Sequence, residues 1–165
     1  MFRRILESRP DVTITWVCAA NDHAAARQLT NGDHNGRLKV LDWMPRAQLI
    51  KQYDQHGVLL LPSLFEGFAQ TPLEAMSRGM CVLSSAIDGM RQTIKEGVNG
   101  FLFERGAGDA MASRALQLMS VPEQCESIGK AARETASAFT WQRTATEYVR
   151  FCERLQALKS PQQSA

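Results

Sequence analysis

Leu59-Leu60-Leu61-Pro62-Ser63-Leu64-Phe65-Glu66-Gly67-Phe68-Ala69-Gln70-Thr71-Pro72-Leu73-Glu74-Ala75-Met76-Ser77-Arg78-Gly79 decides the reading of this chain. An apolar run ends at Pro62 and reads as a short buried strand. A loop carrying Glu66 follows, and a helix is expected to open at Thr71. Thr71 suits the N-cap, Pro72 the first helical position, and Glu74 falls where a capping box places its carboxylate. Gly79 is expected to close the helix in the left-handed conformation, which only glycine enters cheaply.

Strand, loop and helix in that order place free backbone N–H groups at a helix start, where anions and phosphates bind. In open parallel sheets, ligands bind outside the carboxyl ends of the strands. Glu66 and Glu74 can then accept hydrogen bonds from ligand hydroxyls. Spacing alone equally allows Glu74 to be a capping residue and Glu66 a solvated loop charge.

Working outward, β-branched and apolar runs alternate with helical patterns. Strands are expected at Val12–Val17, Leu38–Leu41, Val58–Leu61, Cys81–Ser84 and Gly100–Phe103. Helices are expected at Phe2–Glu7, from Asn21 or Asp22 to Leu29, from Pro45 to about Asp54, and after the last strand at Asp109–Leu118, Glu123–Ser137 and Trp141–Leu158. Alternation of this kind predicts an α/β fold, a Rossmann-like parallel sheet with flanking helices. Trp141, Ala145, Tyr148, Cys152 and Leu155 share one side of the last helix, which reads as core or interface.

Length and composition narrow the classes. At 165 residues the chain is one domain by the usual prior, taken as residues 1–159, with the polar tail at 160–165 frayed. Its formal charge of +2 and the lack of any long basic run argue against nucleic acid. No stretch approaches the ~20 apolar residues of a membrane span. The four cysteines lack Cys-x-x-Cys spacing, so Cys18 and Cys81 read as small core residues and the compartment as reducing, the cytoplasm. His23, His34 and His56 show no ligand spacing, and no metal is expected.

The motif stretch also resembles a known family. Phe65-Glu66-Gly67-Phe68 with Glu74 is similar to the Glu-x7-Glu signature of the retaining glycosyltransferases of family 4, also called group 1. The resemblance continues through Glu74–Ser85, through Ile94-Lys95-Glu96-Gly97-Val98-Asn99-Gly100-Phe101-Leu102-Phe103, and through Phe139-Thr140-Trp141. It implies the C-terminal, donor-binding half of a two-domain GT-B enzyme. The donor would be a UDP- or GDP-linked sugar, bound without a metal or other cofactor, and a hexose would pass to a glycan or polysaccharide acceptor with retention. The resemblance implies that Glu66 is catalytic, near the sugar hydroxyls. Glu74 would hold the ribose, and Gly67, Phe68, Ala69, Gln70 and Thr71 would approach the diphosphate. Asp88-Gly89 would form a loop near the sugar, and the segment around Trp43-Met44 would read the base.

In the family this domain begins with a further strand ending in Gly-Arg-Leu and, a few residues later, a Lys-Gly pair. Neither occurs in these residues. That strand would stand between Val12–Val17 and Val58–Leu61. Those two strands are therefore expected to pair directly, to receive a strand from another chain, or to leave the domain poorly stable. The absent Arg and Lys would cost diphosphate affinity. The chain is thus expected to be inactive alone, with a separate acceptor-domain chain or a homo-oligomer as partner, and peripheral to the inner membrane through such a partner. A non-catalytic remnant, a protein-binding module and a truncated fragment are the alternatives.

Overall fold

The structure, a computed structural model, describes residues 1–67 and 70–159. Phe68 and Ala69, assigned to the diphosphate loop, and the tail at 160–165 lie outside the described residues. The chain runs α1 (Phe2–Ser8), β1 (Ile14–Val17), a 3-10 turn at Ala20–Asp22, α2 (His23–Thr30), β2 (Leu38–Leu41), α3 (Arg46–Asp54) and β3 (Val58–Leu61). It continues through α4 (Gln70–Ser77), β4 (Cys81–Ser85), α5 (Asp88–Thr93), β5 (Gly100–Phe103), α6 (Gly108–Ser120), α7 (Pro122–Ser137) and α8 (Trp141–Lys159).

The α/β reading holds, with every strand pair parallel and helices flanking the strands. The sheet, however, is in two pieces. β1 pairs with β2 in one, and β3, β4 and β5 form the other in that order. Of the three outcomes expected for these strands, direct pairing of β1 with β3 does not occur among the described residues. The burial of the strands reflects this. β4, flanked on both sides, is buried at every residue, whereas β1 and β3 are only half-buried throughout. The Val58–Leu61 run that reads as a buried strand is therefore an edge strand.

Three apolar clusters hold the layers. One joins Val82 of β4 to Met76 of α4, Met90 of α5 and Ala132 of α7. A second sets Cys81, Leu83 and Phe101 against Met111, Ala115 and Leu118 of α6. The third lies on β2, with Leu38, Val40 and Ala26. α1 connects the last two: Ile5 belongs to the second and Leu6 to the third, and both are fully buried. Cys81 is buried as expected, but Cys18 is only half-buried at the margin of the third cluster.

Gly79 closes α4 as anticipated, at φ +80°, with its N–H on the Met76 carbonyl and the Met80 N–H on Ala75. Between α5 and β5, Asn99 is 1 % exposed and bonded on every side. Its Oδ1 accepts the Lys95 N–H at 2.7 Å, and its Nδ2 donates to the Thr93 carbonyl at 3.1 Å and to Thr135 Oγ1 of α7 at 2.9 Å. Asn99→Ala would strand these partners in the interior, at about 1–3 kcal/mol for each group left unsatisfied. A loss of about 2–3 kcal/mol in urea unfolding is expected, and a loss under about 1 kcal/mol would contradict this account.

Two further expectations are corrected. Asp88-Gly89 is not a loop but the first turn of α5, with Gly89 buried. Burial of Met90 and Thr93 holds this turn helical although it opens on Asp88-Gly89, two poor helix formers. For the marked side of α8, read as core or interface, only core is excluded: Trp141 is 78 % and Tyr148 68 % exposed, and Cys152 is half-buried.

Candidate functional site

The site lies where the chain leaves β2, β3 and β4 at their carboxyl ends. Glu66 stands in the loop after β3, half-buried, and its Oε1 accepts the Ser63 hydroxyl at 3.0 Å. Leu64 and Phe65 beside it are 67 % and 84 % exposed. Gly67 faces open space, with nothing within 4 Å of the position a Cβ would take.

Glu74 is placed by α4 and held by α3. Gln70 is already helical, so Thr71 and Pro72 lie within the helix rather than at its cap. The capping box does not form, because the Glu74 carboxylate turns sideways to α3. Its Oε2 accepts the Tyr53 hydroxyl at 3.4 Å, and its Oε1 lies 3.3 Å from Arg46 Nε. Neither Tyr53 nor Arg46 is singled out by the sequence reading. Their signal was available, since residues seven apart share one side of a helix.

Burial, with the Glu74 charge beside it, pushes the Tyr53 phenol up to about 12 from 10.0. A group whose folded pKa is raised contributes stability that is present below the unfolded value and lost as pH rises through the folded one. The fold should therefore weaken between pH 10 and about 12. In Tyr53→Phe this share of the alkaline loss should vanish, which urea midpoints measured across that range will check.

Thr71, exposed on α4, joins the group around Glu74, its side chain hydrogen-bonded to the Tyr53 phenol. The other expected residues are dispersed. Gln70 of α4 is exposed. Met44 is half-buried after β2, next to a Trp43 that is 73 % exposed and whose backbone N–H donates to Asp42 Oδ1 at 2.8 Å. Gly89 is buried within α5. Arg91 is a surface residue, bonded to the Ala86 carbonyl and 3.8 Å from Glu104.

A carboxylate steadied by a phenol and a guanidinium, at the carboxyl ends of parallel strands, can accept hydrogen bonds from a ligand diol. The sequence model of the family described as Glycosyl transferases group 1 matches residues 19–135. The chain belongs to that family. Among curated relatives, it is 34% identical over 102 residues to D-inositol 3-phosphate glycosyltransferase of Kribbella flavida, covering 62% of this chain and 24% of that protein. It spans about a quarter of the length of the curated relatives it matches first.

Solved structures agree on the fold. Sucrose-phosphate synthase from Thermosynechococcus elongatus superposes with a TM-score of 0.81 at 21% identity, over 95% of this chain and 42% of that one. HepE of Anabaena, solved in complex with UDP-glucose, superposes with a TM-score of 0.75 at 22% identity, over 94% of this chain and 44% of the other. These are GT-B glycosyltransferases, so this group 1 domain has the GT-B α/β architecture. Among the described residues, no helix is long and apolar enough to cross a membrane.

Proposed function

We propose that this domain is the donor-binding half of a retaining hexosyltransferase that takes a UDP- or GDP-linked sugar. The observation that carries the reading is the Glu74 carboxylate, held by Tyr53 and Arg46 at the carboxyl edge of the sheet in a group 1 glycosyltransferase domain. Glu74 receives the ribose hydroxyls, and the start of α4 with the open backbone at Gly67 receives the diphosphate. Glu66, oriented by Ser63, faces the sugar and serves the reaction there. Met44 and its neighbours read the base. HepE, with UDP-glucose in its structure, supports a uridine donor by analogy of fold.

The leaving diphosphate takes the acceptor proton on the same side of the sugar, so no protein nucleophile and no metal or other cofactor is required. The acceptor is a glycan, and the setting is polysaccharide assembly in the cytoplasm. The exposed Leu64 and Phe65 beside Glu66 fit a cleft whose second wall comes from an acceptor domain. Alone, these 165 residues bind donor without transferring sugar.

The test is a thermal melt with millimolar UDP, GDP or ADP. A ligand that binds only the folded state at ~100 times its Kd adds about 2.7 kcal/mol. One uridine or guanosine nucleotide should raise the melting temperature. Glu74→Ala should lose most of that rise, because a bond to a charged acceptor is worth about 1.5–3 kcal/mol. A melt unmoved by all three nucleotides overturns the reading. It would leave a protein-binding module in its place, which the exposed apolar side of α8 favours.

A further inference from the structure

Two of the four cysteines converge on one backbone carbonyl. Cys81 opens β4, and Cys125 stands in the first turn of α7. The Gly57 carbonyl, just before β3, accepts the Cys81 N–H at 2.8 Å and the Cys125 thiol at 3.7 Å. The two cysteine side chains also hydrogen-bond to each other. Cys81 belongs to the cluster of Leu83, Phe101 and Leu118, and Cys125 packs against it. Both are free thiols. Elements distant in the chain thus bring two sulfurs together against bare backbone, for a Cβ on Gly57 would lie 3.9 Å from Cys125 Sγ.

The two sulfurs differ in access and in charge. Cys81 is 0 % exposed, whereas Cys125 is half-buried at the margin of the cluster. The hydrogen bond from Cys81 holds the Cys125 thiol below its ordinary value, against burial and the Glu126 charge. The same bond, with burial, pushes the Cys81 thiol up. The start of α7 works in the same sense, since a helix N-terminus favours a thiolate. Cys125 is therefore the thiolate of the pair, and Cys81 the thiol that donates to it.

An accessible thiolate beside a second thiol is the arrangement that oxidises to a disulfide and can be reduced again. We propose that Cys125 and Cys81 form a reversible oxidation site for a hydroperoxide, with Cys125 the attacking sulfur and Cys81 the resolving one. The Cys125 thiolate attacks one peroxide oxygen, the O–O bond breaks, and the other oxygen leaves as hydroxide, or as alkoxide from an alkyl hydroperoxide. Cys125 is then a sulfenic acid. The Cys81 sulfur attacks Cys125 Sγ, the S–O bond breaks, and the Cys81 proton joins the departing hydroxide to make water. The peroxide gains the two electrons that the sulfurs lose in forming the S–S bond. A dithiol reductant reverses the change through a mixed disulfide. The bond ties α7 to the start of β4, two residues after the Gly79 turn that closes the helix carrying Glu74.

The test treats the whole chain with a small molar excess of hydrogen peroxide at neutral pH, blocks the remaining thiols with N-ethylmaleimide and maps the unreduced digest by mass spectrometry. Cys18, in the third cluster, and Cys152, on α8, are comparisons within the same chain. The expected result is a Cys81–Cys125 peptide pair lighter by two hydrogens and abolished by dithiothreitol, with Cys18 and Cys152 recovered as maleimide adducts. N-ethylmaleimide alone should label Cys125 several-fold faster than Cys152. Cys125→Ser should leave Cys81 unoxidised, and Cys81→Ala should let dimedone capture Cys125 as the sulfenic acid. The map of the unsubstituted chain decides the matter whether or not either variant folds. Oxidation of Cys18 or Cys152 as readily as Cys125 would overturn the proposal. So would sulfinic acid at Cys125 in place of the link, a Cys125–Cys125 bond between chains, or a Cys81–Cys125 bond that resists dithiothreitol. None of these readouts uses a nucleotide, so the pair stands or fails apart from the donor-binding reading.

Discussion

Gly129→Ala is expected to destabilise the domain by about 3 kcal/mol or more, at the top of the range for overpacked cores. Gly129 lies on α7 where that helix crosses the end of α4. A Cβ there would sit 2.0 Å from the Gly79 carbonyl oxygen and 3.0 Å from its carbon. Both neighbours are backbone, so no rotamer change relieves the overlap. The chain must instead part α7 from α4, or distort a turn already held at φ +80°. Parting the helices opens the cluster of Ala75, Met76, Ala132 and Ala136. Against a typical total of about 5–15 kcal/mol, that is a large share. Urea unfolding of the variant beside Gly57→Ala provides the check. The Gly57 Cβ would meet only Cys125 Sγ at 3.9 Å, an ordinary contact, and should cost little. Near-equal midpoints for the two variants would mean that the α4–α7 approach is looser than described. Because Glu74 rides on α4, Gly129→Ala should also weaken any nucleotide shift without touching the site.

Leu6→Ala should cost about 2–5 kcal/mol, the range for deleting a fully buried leucine side chain. Leu6 is 0 % exposed and belongs to the cluster of Leu38, Val40 and Ala26, while Ile5 one residue earlier belongs to the cluster built on β4, β5 and α6. In a continuous sheet, ladder hydrogen bonds would share the work of holding the two halves. Here α1 carries much of it. The loss should therefore be uneven. Hydrogen exchange in Leu6→Ala should rise over β1 and β2 well before it rises over β3, β4 and β5. Ile5→Ala should show the reverse bias, since Ile5 belongs to the cluster of Cys81, Leu83 and Phe101. Uniform acceleration in both variants would show one cooperative unit and refute the bridging role of α1.

The order of elements was legible because its signals are local. Leu38–Leu41, Val58–Leu61 and Gly100–Phe103 stand where their apolar and β-branched runs place them. Gly79 stops α4 because its conformation is a property of the residue itself. α5 was not legible, for what keeps it helical is the burial of Met90 and Thr93 rather than any propensity of Asp88-Gly89. The signature glutamates were legible through family resemblance, and their surroundings were not. Glu74 reads as a capping residue from spacing, yet it bonds to Tyr53 and Arg46, which come from another helix.

By itself, then, the sequence determined the strands, every helix but α5, the family, and the loop and helix that carry Glu66 and Glu74. Periodicity and turn chemistry act within a few residues, so they survive reading without a structure. Tertiary structure alone decided that the sheet divides between β1 and β3, that α1 joins the parts, that the apolar side of α8 stays exposed, and which partners orient Glu74. The reason is physical. A pattern says which face of an element is apolar and which backbone groups need partners, but what meets them is settled only when distant segments pack.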